Sequence, residues 1–482
     1  MTRRVSRLIG FAILYAATSG LSVDPALASE PPNVLFITVD DIGWDSVGVN
    51  GSKVVDATPN IDALASEGLR FEHGHVTVAI CRPSRSVWMT GLYPHNSGAK
   101  GFTRIYNSVP TLPETLTANG YTTGIIGKTR HVIPSRKRAF DYQIRKQELM
   151  GGYSAVRFAE AAADFFVLAR QSKRPFFLMV NTHDAHRPFD DGKPAEERSL
   201  ASGANGGGDL PAPSKIYQTD EVPVPGFLPD LPEVREDVAR YYNSVRRADD
   251  VVGAVLQALG ESGFEKKTLV MLMSDNGVAM PFAKTNVWRH STRTPWIVRW
   301  PGVTTPGAHD SKHMIAGVDF APTILAAAGL QPQAEMDGRS FLPLLQGKEQ
   351  AGREYVYTYL DSTAHERSYI MRSIQDVRYG YIWNSWSNGR MVFRNESDRN
   401  AAMRAIGKKS ESDPVLAARV KHFRYRVPEE FYDYEKDPDA LHNLIDDPAV
   451  AGRVSAFRAK LLDHMERTRD PKRTSFKKVA VP

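Results

Sequence analysis

The chain has 482 residues, of which 42% are hydrophobic and 24% are charged, a balance typical of globular proteins. This length allows one large domain together with a smaller one. The formal net charge of +6 is a mild basic excess, and no repeat of basic and aromatic residues indicates nucleic-acid binding. The single cysteine excludes an internal disulfide and a cysteine-rich metal site.

The first 28 residues have the pattern of a secretory signal peptide. Three arginines within the first seven residues precede the apolar run Leu8–Ala17, and Ala26-Leu27-Ala28 fits a cleavage site. The apolar run is shorter than a membrane-spanning helix needs, so an uncleaved anchor is the weaker alternative. The segment 1–28 therefore predicts an exported protein, periplasmic or secreted, with no stable membrane insertion after signal removal.

Four apolar segments of the remaining chain have the pattern of buried strands in a parallel sheet. Each runs directly into polar residues, and helical patterns lie between them, as expected when helices cover both faces of the sheet. The predicted strands are Asn33–Val39, Tyr121–Ile126, Phe176–Asn181 and Thr268–Met273. The predicted helices run from Pro59 to Gly68, after an N-cap at Thr58, and over Cys81–Gly91, Thr111–Asn119, Tyr153–Arg170 and Glu233–Ser262.

The pattern changes beyond Gly347 to shorter strands and turns. The predicted strands there are Tyr355–Tyr359, Ile370–Ser373 and Tyr379–Trp386, and a closing helix is predicted at Val454–Arg467. We therefore expect an α/β domain with a large, mostly parallel central sheet at residues 29–350. A smaller α+β domain with an antiparallel sheet is expected at residues 351–482. A long loop, Pro188–Pro232, includes three consecutive glycines at 206–208.

Acidic and amide side chains follow two of the predicted strands. Asp40 and Asp41 end the first strand, and Asp275 and Asn276 end the last. Since ligands bind beyond the carboxyl ends of parallel strands, these groups are expected to meet at one edge of the sheet. Oxygen ligands of this kind suit a hard cation such as Ca²⁺ or Mg²⁺. An ordinary turn is the alternative for either pair taken alone.

Cys81 is unusual because an exported protein with one cysteine cannot protect the thiol in an internal disulfide. A small buried side chain is the simplest explanation for it. However, Cys81, Pro83 and Arg85 form the pattern Cys-x-Pro-x-Arg at the start of a predicted helix that enters through Pro83 and ends at Gly91. Cys81 would then lie just before a helix N-terminus, where N–H groups and the helix dipole attract anions.

The run Cys81–Arg85, continued by Met89-Thr90-Gly91-Leu92-Tyr93-Pro94, resembles the signature of type I sulfatases, which have the alkaline phosphatase fold. The resemblance implies that Cys81 is oxidised to formylglycine by a maturation enzyme, and that a hydroxyl of the hydrated aldehyde attacks sulfur. It also implies one Ca²⁺ ion, bound by formylglycine and by the residues at positions 40, 41, 275 and 276.

The resemblance implies four further site residues, because they match family positions that contact formylglycine or sulfate. These residues are Arg85, Lys128, His186 and Lys284. The family has a histidine two places after the lysine, where this chain has Arg130, followed by His131. Either the turn holds an extra residue and His131 removes the proton that restores the aldehyde, or Arg130 has replaced it. A base of near-neutral pKa favours His131.

The chain is most similar to the N-sulfoglucosamine sulfohydrolase subgroup and its bacterial polysaccharide-sulfatase relatives. Lys284 departs from this subgroup, which has arginine there, so its substrate contacts do not transfer directly. His365 and Glu366 are candidates to reach a sugar from the smaller domain. The similarity rests on Gly124–Lys128, His183–Arg187, Lys284–Asn286 and Met371–Gln375.

The expected function is hydrolysis of sulfate esters or sulfamates of a sulfated saccharide. One alternative is a formylglycine-dependent phosphonate or phosphodiester hydrolase, because such enzymes share much of this constellation. Another is a non-catalytic, exported glycan-binding protein with an unmodified Cys81. The sequence leaves the sugar, the position of the sulfate and the oligomeric state open.

Overall fold

An eight-stranded sheet forms the centre of the computed structural model, which describes residues 30–132, 140–192, 210–364 and 367–480. The strand order is β4-β3-β5-β1-β6-β7-β2-β8, and all neighbours are parallel except the two pairs that include β7. The strands are β1 Asn33–Val39, β2 Leu69–His75, β3 Thr122–Ile126, β4 Tyr142–Ile144, β5 Phe176–Asn181, β6 Thr268–Ser274, β7 Trp296–Arg299 and β8 Ala308–Ala316.

Helices flank this sheet, and a separate antiparallel sheet of order β12-β11-β10-β9 follows it along the chain. The second sheet consists of β9 Val356–Ser362, β10 Ser368–Gln375, β11 Tyr379–Asn384 and β12 Glu429–Asp433. The helices up to β9 are α1 Pro59–Ser66, α2 Cys81–Thr90, α3 Pro94–Ser97, α4 Leu112–Ala118, α5 Thr129–Val132, α6 Ala155–Ser172, α7 Pro232–Glu261, α8 Arg289–Thr292, α9 Phe320–Ala327 and α10 Leu342–Leu345. The later helices are α11 Ala401–Ser410, α12 Pro414–Tyr425, α13 Ala451–Arg467 and α14 Arg473–Ala480.

Strand β1 shows why the central strands are apolar throughout. Leu35, Ile37 and Val39 face a core layer that includes α1, α6 and α7, whereas Val34 and Phe36 face the opposite layer, which includes α2, α4 and α9. All seven residues of β1 are buried. The predicted α/β class, with a mostly parallel sheet buried on both faces, is therefore confirmed.

The register of β1 brings distant segments together at one edge. β1 pairs in parallel with β5 on one side and with β6 on the other, so that Thr38 lies opposite Asn181 and Val39 lies opposite Ser274. The residues that follow these strands must therefore emerge side by side. Asp40 N–H donates to Asp184 O at 3.0 Å, and Asp275 N–H donates to Val39 O at 3.3 Å, which extends the pairing into the loops.

The helix predicted over Cys81–Gly91 is present, but its predicted entry through Pro83, with Cys81 just before the first turn, was wrong. α2 starts at Cys81 itself rather than at Pro83, because Ile80 has extended φ and ψ angles and its carbonyl accepts the N–H of Ser84 at 2.9 Å. The first turn therefore closes on Ile80. The predicted end at Gly91 is confirmed, since this glycine has a left-handed φ of 64°.

Neither the antiparallel strand β7 nor the strand β12 was predicted from the sequence. The domain boundary at residue 350 stays a prediction. The signal segment 1–28, the glycines at 206–208 and the candidates His365 and Glu366 lie outside the described residues. Among the residues that are described, no helix combines the length and hydrophobicity needed to cross a bilayer.

Candidate active site

Three carboxylates meet at the carboxyl ends of β1 and β6. Asp40, Asp41 and Asp275 each offer an oxygen that lies within 4.8 Å of the other two, and all three residues are buried. Asp41 adopts a left-handed φ of 61°, and its N–H donates to Asp275 Oδ1 at 3.1 Å. The backbone therefore turns sharply after β1 so that two consecutive aspartates face the same place.

Each of these carboxylates is paired with a cation from a different segment. Arg85 is ion-paired with Asp275, Lys128 is ion-paired with Asp40, and Lys284 Nζ lies 2.6 Å from Asp41 Oδ1. The partner cations are themselves buried or nearly so. The pairing reduces the cost of placing several charges in a site that excludes water.

Several oxygens of the cluster nevertheless accept no hydrogen bond from the described residues. The buried oxygens without a hydrogen-bond donor include Asp40 Oδ1, Asp41 Oδ2 and Asn276 Oδ1. Asn276 belongs to the cluster because its Nδ2 donates to Asp41 Oδ1 at 2.6 Å. Buried acceptors without donors are costly, and carboxylate and amide oxygens are the ligands that a hard divalent cation prefers. The donor set therefore fits a Ca²⁺ ion.

The pKa values of the acids diverge within the cluster. Burial, together with the neighbouring charges of Asp40 and Asp41, raises the pKa of Asp275 to about 8 although Arg85 opposes the shift. Burial acts in the same direction on Asp40, but Lys128 and Arg85 outweigh it and hold the pKa of Asp40 well below its usual range. Three adjacent carboxylates thus repel one another strongly enough that one of them resists ionisation.

Cys81 lies at the first position of α2, against this cluster. The side chain is 4% exposed, and burial raises the pKa of the thiol to about 11 although Lys284 and Lys128 favour the thiolate. A protonated, buried thiol is a poor nucleophile. Cys81 in its unmodified form is therefore not a reactive cysteine.

Asn181, at the end of β5, was not singled out from the sequence, yet it connects several parts of the site. Its Oδ1 accepts Thr38 Oγ1–H at 2.8 Å and Arg85 Nε–H at 3.4 Å. Its Nδ2 donates to Gly127 O at 3.3 Å, just before Lys128. A Cβ at Gly127 would lie 2.3 Å from Asn181 O, so glycine is required there. Asn181 could have been predicted as a site residue because it is the polar residue that ends the apolar run Phe176–Asn181.

Three histidines, His131, His183 and His186, lie near the cluster, and the pKa of each is lowered. His186 donates from Nδ1 to Arg187 O at 2.6 Å, which leaves Nε2 as the second ring nitrogen, and burial followed by the charge of Lys284 lowers its pKa. Its ring stacks on that of His183, with centroids 5.3 Å apart. His183 is only partly exposed, and desolvation followed by the charge of Lys128 holds its pKa well below the usual range.

The two candidates after Lys128 take different places. Burial, followed by the charges of Lys128 and Arg85, lowers the pKa of His131 to about 2, and its ring packs edge-on against Phe102 at 5.9 Å. Arg130 is exposed. His131 therefore lies within the electrostatic reach of the cluster, whereas Arg130, although exposed, lines the same cavity as Cys81.

A cavity of about 690 Å³ opens above Cys81. Its wall carries Lys128 and three further cations, and its one carboxylate, on Glu148, accepts the N–H of Arg145 at 3.0 Å. This size is within the range of cavities that enclose small-molecule ligands. The lining residues are Cys81, Phe102, Lys128, Thr129, Arg130, His131, Arg145, Lys146, Gln147, Glu148, His183 and His186. The cavity is therefore predominantly basic and suits an anionic ligand.

Comparison with known proteins identifies the family. The family model described as Sulfatase matches residues 32–330, which is more than half of the chain. The chain belongs to the sulfatase family. A second model, described as N-sulphoglucosamine sulphohydrolase, C-terminal, matches residues 278–416. The family confirms the enzyme class expected from the Cys81–Arg85 motif.

Named relatives of this sulfatase agree with the family models. It is 31% identical over 472 residues to human N-sulphoglucosamine sulphohydrolase, covering 92% of this chain and 91% of the relative. It is 26% identical over 467 residues to an ulvan-active sulfatase of Formosa agariphila, covering 90% of this chain and 74% of the relative. A solved protein in complex with its substrate D-glucosamine-2-N,6-O-disulfate has the same fold, with a TM-score of 0.68 at 21% identity, covering 92% of this chain and 99% of that one.

The predicted site residues of this sulfatase thus come from four strand ends, helix α2 and one loop. Asp40 and Asp41 follow β1, Lys128 and His131 follow β3, His186 follows β5, and Asp275 and Asn276 follow β6. Cys81 and Arg85 lie one turn apart on α2, and Lys284 lies in the loop between β6 and α8. Arg130 is exposed and lines the same cavity as Cys81. The chain therefore brings the other candidates together around a single edge of the sheet.

Proposed function

We propose that this sulfatase removes sulfate, as an ester or a sulfamate, from a sulfated saccharide, using formylglycine at position 81 and one Ca²⁺ ion. One observation carries the proposal: buried acceptor oxygens without donors lie beside three buried cations, against the side chain of Cys81. The oxygens suit a metal ion, and the cations suit an anion. A sulfate group bound next to a divalent cation satisfies both sets at once.

Asp40, Asp41, Asp275 and Asn276 would hold the Ca²⁺ ion together with residue 81. When bound, the ion polarises the S–O bonds and favours ionisation of the nucleophilic hydroxyl. The raised pKa of Asp275 is consistent with this assignment, because burial and the charges of Asp40 and Asp41 raise it, and a divalent charge would offset both effects.

The thiol of Cys81 is unsuited to attack sulfur, since its pKa is raised to about 11. Oxidised to formylglycine, position 81 supplies an aldehyde whose hydrate offers a hydroxyl nucleophile. The N-terminal end of α2 places this side chain where unpaired N–H groups favour negative charge. Proposed partners are therefore a formylglycine-generating maturation enzyme and, for an exported chain, the export machinery that recognises residues 1–28.

The cations are assigned to binding and charge stabilisation. Arg85 Nη2 is a buried donor with no hydrogen-bond partner among the described residues, so this atom is available to a sulfate oxygen. Lys128 and Lys284 present ammonium groups next to the same carboxylates. Preorganised donors of this kind stabilise charge that develops in a transition state without reorganising at that moment.

Proton transfer is assigned to three residues. Lys284 stays protonated because Asp41 holds its pKa above the usual value against the effect of burial, and it is therefore assigned as a proton source for the leaving oxygen or nitrogen. His186 is neutral in the metal-free protein and offers Nε2, with Nδ1 fixed by Arg187 O. Burial and the charges of Lys128 and Arg85 lower the pKa of His131 to about 2, so it is a weaker base in this state than the near-neutral one expected from the sequence. It is still assigned to accept the proton whose removal releases sulfate, because it is neutral and its buried Nδ1 has no partner among the described residues.

The names of the relatives, together with the basic wall of the cavity, support sulfated glucosamine as the first substrate to test. The human relative is a sulphohydrolase of N-sulphoglucosamine, and the solved neighbour binds a glucosamine disulfate. Arg145 and Lys146 line the cavity of this chain and add positive charge beyond the sulfate-binding group. Such charges attract a saccharide that carries more than one anionic group.

The experiment is release of inorganic sulfate from a panel of N-sulfated and O-sulfated saccharides, with phosphonate and phosphodiester analogues as competing substrates. We expect turnover of at least one sulfated glucosamine. Faster turnover of the phosphonate esters would instead favour the alternative hydrolase.

Substitution and mass spectrometry test the nucleophile. Cys81→Ala should abolish turnover while the unfolding temperature stays close to that of the wild type, because only a small buried side chain is shortened. Peptide mass spectrometry of the active protein should show formylglycine at position 81. Activity retained in Cys81→Ala, or an active protein with only unmodified cysteine, would refute the proposal.

A further inference from the structure

Lys284 lies in a segment whose backbone is held in disfavoured conformations. Phe282 and Thr285 both have a positive φ, of 67° and 64° respectively. This region is unfavourable for residues other than glycine, and especially for a β-branched threonine, so it persists only when surrounding contacts impose it. One such contact is Thr285 N–H, which donates to Ala79 O at 3.0 Å, two residues before Cys81.

Two side chains from far along the chain complete the support. Asn395 Nδ2 donates to the carbonyl oxygen of Lys284 at 3.1 Å, and Thr285 Oγ1 donates to Glu396 Oε1 at 2.7 Å. Asn395 is buried, and its Oδ1 accepts the N–H of Ser397 at 3.1 Å, which fixes the orientation of the amide. These partners lie 111 residues from the segment that they hold.

We propose that Asn395 and Glu396 are positioning residues of the sulfatase reaction. They hold the carbonyl of Lys284 and the hydroxyl of Thr285, and so they fix the direction in which the Lys284 side chain leaves the backbone. The result is an ammonium group that stays beside Asp41 and Cys81 rather than sampling the cavity. This inference rests on the proposed role of Lys284 in binding sulfate.

The same contacts would also contribute to stability, so the test must separate the two effects. Asn395→Asp is close in shape and keeps the oxygen that accepts Ser397 N–H, but it replaces the donor to Lys284 O with a second acceptor. Asn443→Asp is a matched control, because Asn443 likewise donates to a backbone carbonyl, Glu429 O, at 3.3 Å and accepts a backbone N–H, that of Phe431, at 2.8 Å. It lies beside β12, outside the proposed active site.

Glu396 offers a rescue comparison. Glu396→Gln retains an oxygen that can accept Thr285 Oγ1–H, whereas Glu396→Ala removes it. If the hydrogen bond positions Lys284, the glutamine variant should keep most of the activity and the alanine variant should not. If the negative charge matters instead, the two variants should be impaired equally, which would overturn the positioning role of Glu396.

The decisive measurement is a double-mutant cycle on the full-length, matured protein. We would measure kcat/KM with an aryl sulfate, and the Kd for inorganic sulfate by calorimetry, in the wild-type and Lys284→Ala backgrounds. Asn395→Asp should lower kcat/KM about tenfold, because it removes one hydrogen bond that aligns Lys284. Asn443→Asp should leave kcat/KM unchanged. In the Lys284→Ala background Asn395→Asp should have no further effect on either quantity.

An equal effect of Asn395→Asp in both backgrounds would overturn the inference, because the loss would then not pass through Lys284. Loss of the proposed function gives a different result: the wild type itself would not turn over the aryl sulfate. In that case the positioning role is decided by whether Asn395→Asp changes the Kd for inorganic sulfate in the wild-type background but not in the Lys284→Ala background. A Lys284→Ala variant that binds sulfate as tightly as the wild type would remove the basis of the inference and identify the role of Lys284 as the error.

Discussion

Asp40→Asn should remove most of the stabilisation that Ca²⁺ gives to this sulfatase. The oxygens of Asp40, Asp41 and Asp275 lie within 4.8 Å of one another, a distance at which two unit charges interact by about 3.5 kcal/mol at an effective dielectric constant of about 20. A divalent ion in their midst gains at least that much from each carboxylate. We take about 2.8 kcal/mol, a roughly 100-fold loss in affinity, as a conservative effect of removing one charge.

Binding linkage converts this loss into a measurable shift. At a Ca²⁺ concentration about 100 times the wild-type Kd, the ion stabilises the native state by about 2.7 kcal/mol. The same concentration is then only about equal to the Kd of Asp40→Asn, and the stabilisation falls to roughly 0.4 kcal/mol. Asp40 is suited to this test because its Oδ1 accepts no hydrogen bond from the described residues, so that charge and ligation are the main properties lost.

The assay is denaturant unfolding of each protein in excess chelator and in a fixed concentration of free Ca²⁺. The quantity compared is the Ca²⁺-dependent increment in unfolding free energy, which cancels the intrinsic cost of each substitution. Asp249→Asn is the control, because Asp249 is a buried aspartate that accepts the N–H groups of Asn60 and Ile61 outside the cluster. An unchanged increment in Asp40→Asn, or no increment in the wild type, would refute the metal assignment.

Three further predictions concern the cavity and the fold. His131→Asn should lower kcat at least about 100-fold, whereas Arg130→Gln should change kcat less than threefold, as measured by steady-state kinetics on one substrate. The reverse order would favour Arg130 as the residue that has replaced the family histidine. Arg145→Gln combined with Lys146→Gln should raise KM for a polyanionic oligosaccharide and flatten its dependence on ionic strength, but should leave KM for a small aryl sulfate within about twofold. Glu430 is buried against Arg426. Burial alone would raise its pKa, but Arg426 and His422 outweigh burial and hold the pKa well below the unfolded value of 4.5. Its contribution to the unfolding free energy is therefore complete above about pH 4.5 and is lost as the pH falls further. Glu430→Gln should lower the unfolding free energy at pH 7 by about 3 kcal/mol and reduce the loss of stability in acid, as followed by chemical denaturation from pH 3 to 7.

The sequence predicted the parts of the site that follow directly from strand periodicity. Asn33–Val39 is apolar at five of its seven positions, so both its extent as β1 and the polar residues that end it could be predicted without a structure. The same argument located β5 and β6 and therefore the acids beyond β6. Side chains that lie directly after such strands come together because the carboxyl ends of adjacent parallel strands lie at the same edge of the sheet.

Contacts between distant segments were beyond the reach of periodicity. β7, Trp296–Arg299, has only four residues, too few to show a period, and its antiparallel direction is set by its neighbours β6 and β2. The bond from Asn395 to the Lys284 carbonyl joins residues 111 apart, and neither residue type signals it. The left-handed φ of 48° at Lys128 likewise depends on the packing of Gly127 against Asn181 O and not on a turn motif.

The depth at which the Cys-x-Pro-x-Arg motif is buried sets an order of events for biosynthesis. Cys81, Pro83, Ser84 and Arg85 are all buried once α2 packs, and Ser84 and Arg85 have no exposed surface at all. An enzyme that reads this motif in an extended strand cannot reach it in the finished molecule. The proposed oxidation of Cys81 would therefore have to precede folding, and protein that has already folded around an intact thiol should stay inactive until it is unfolded again.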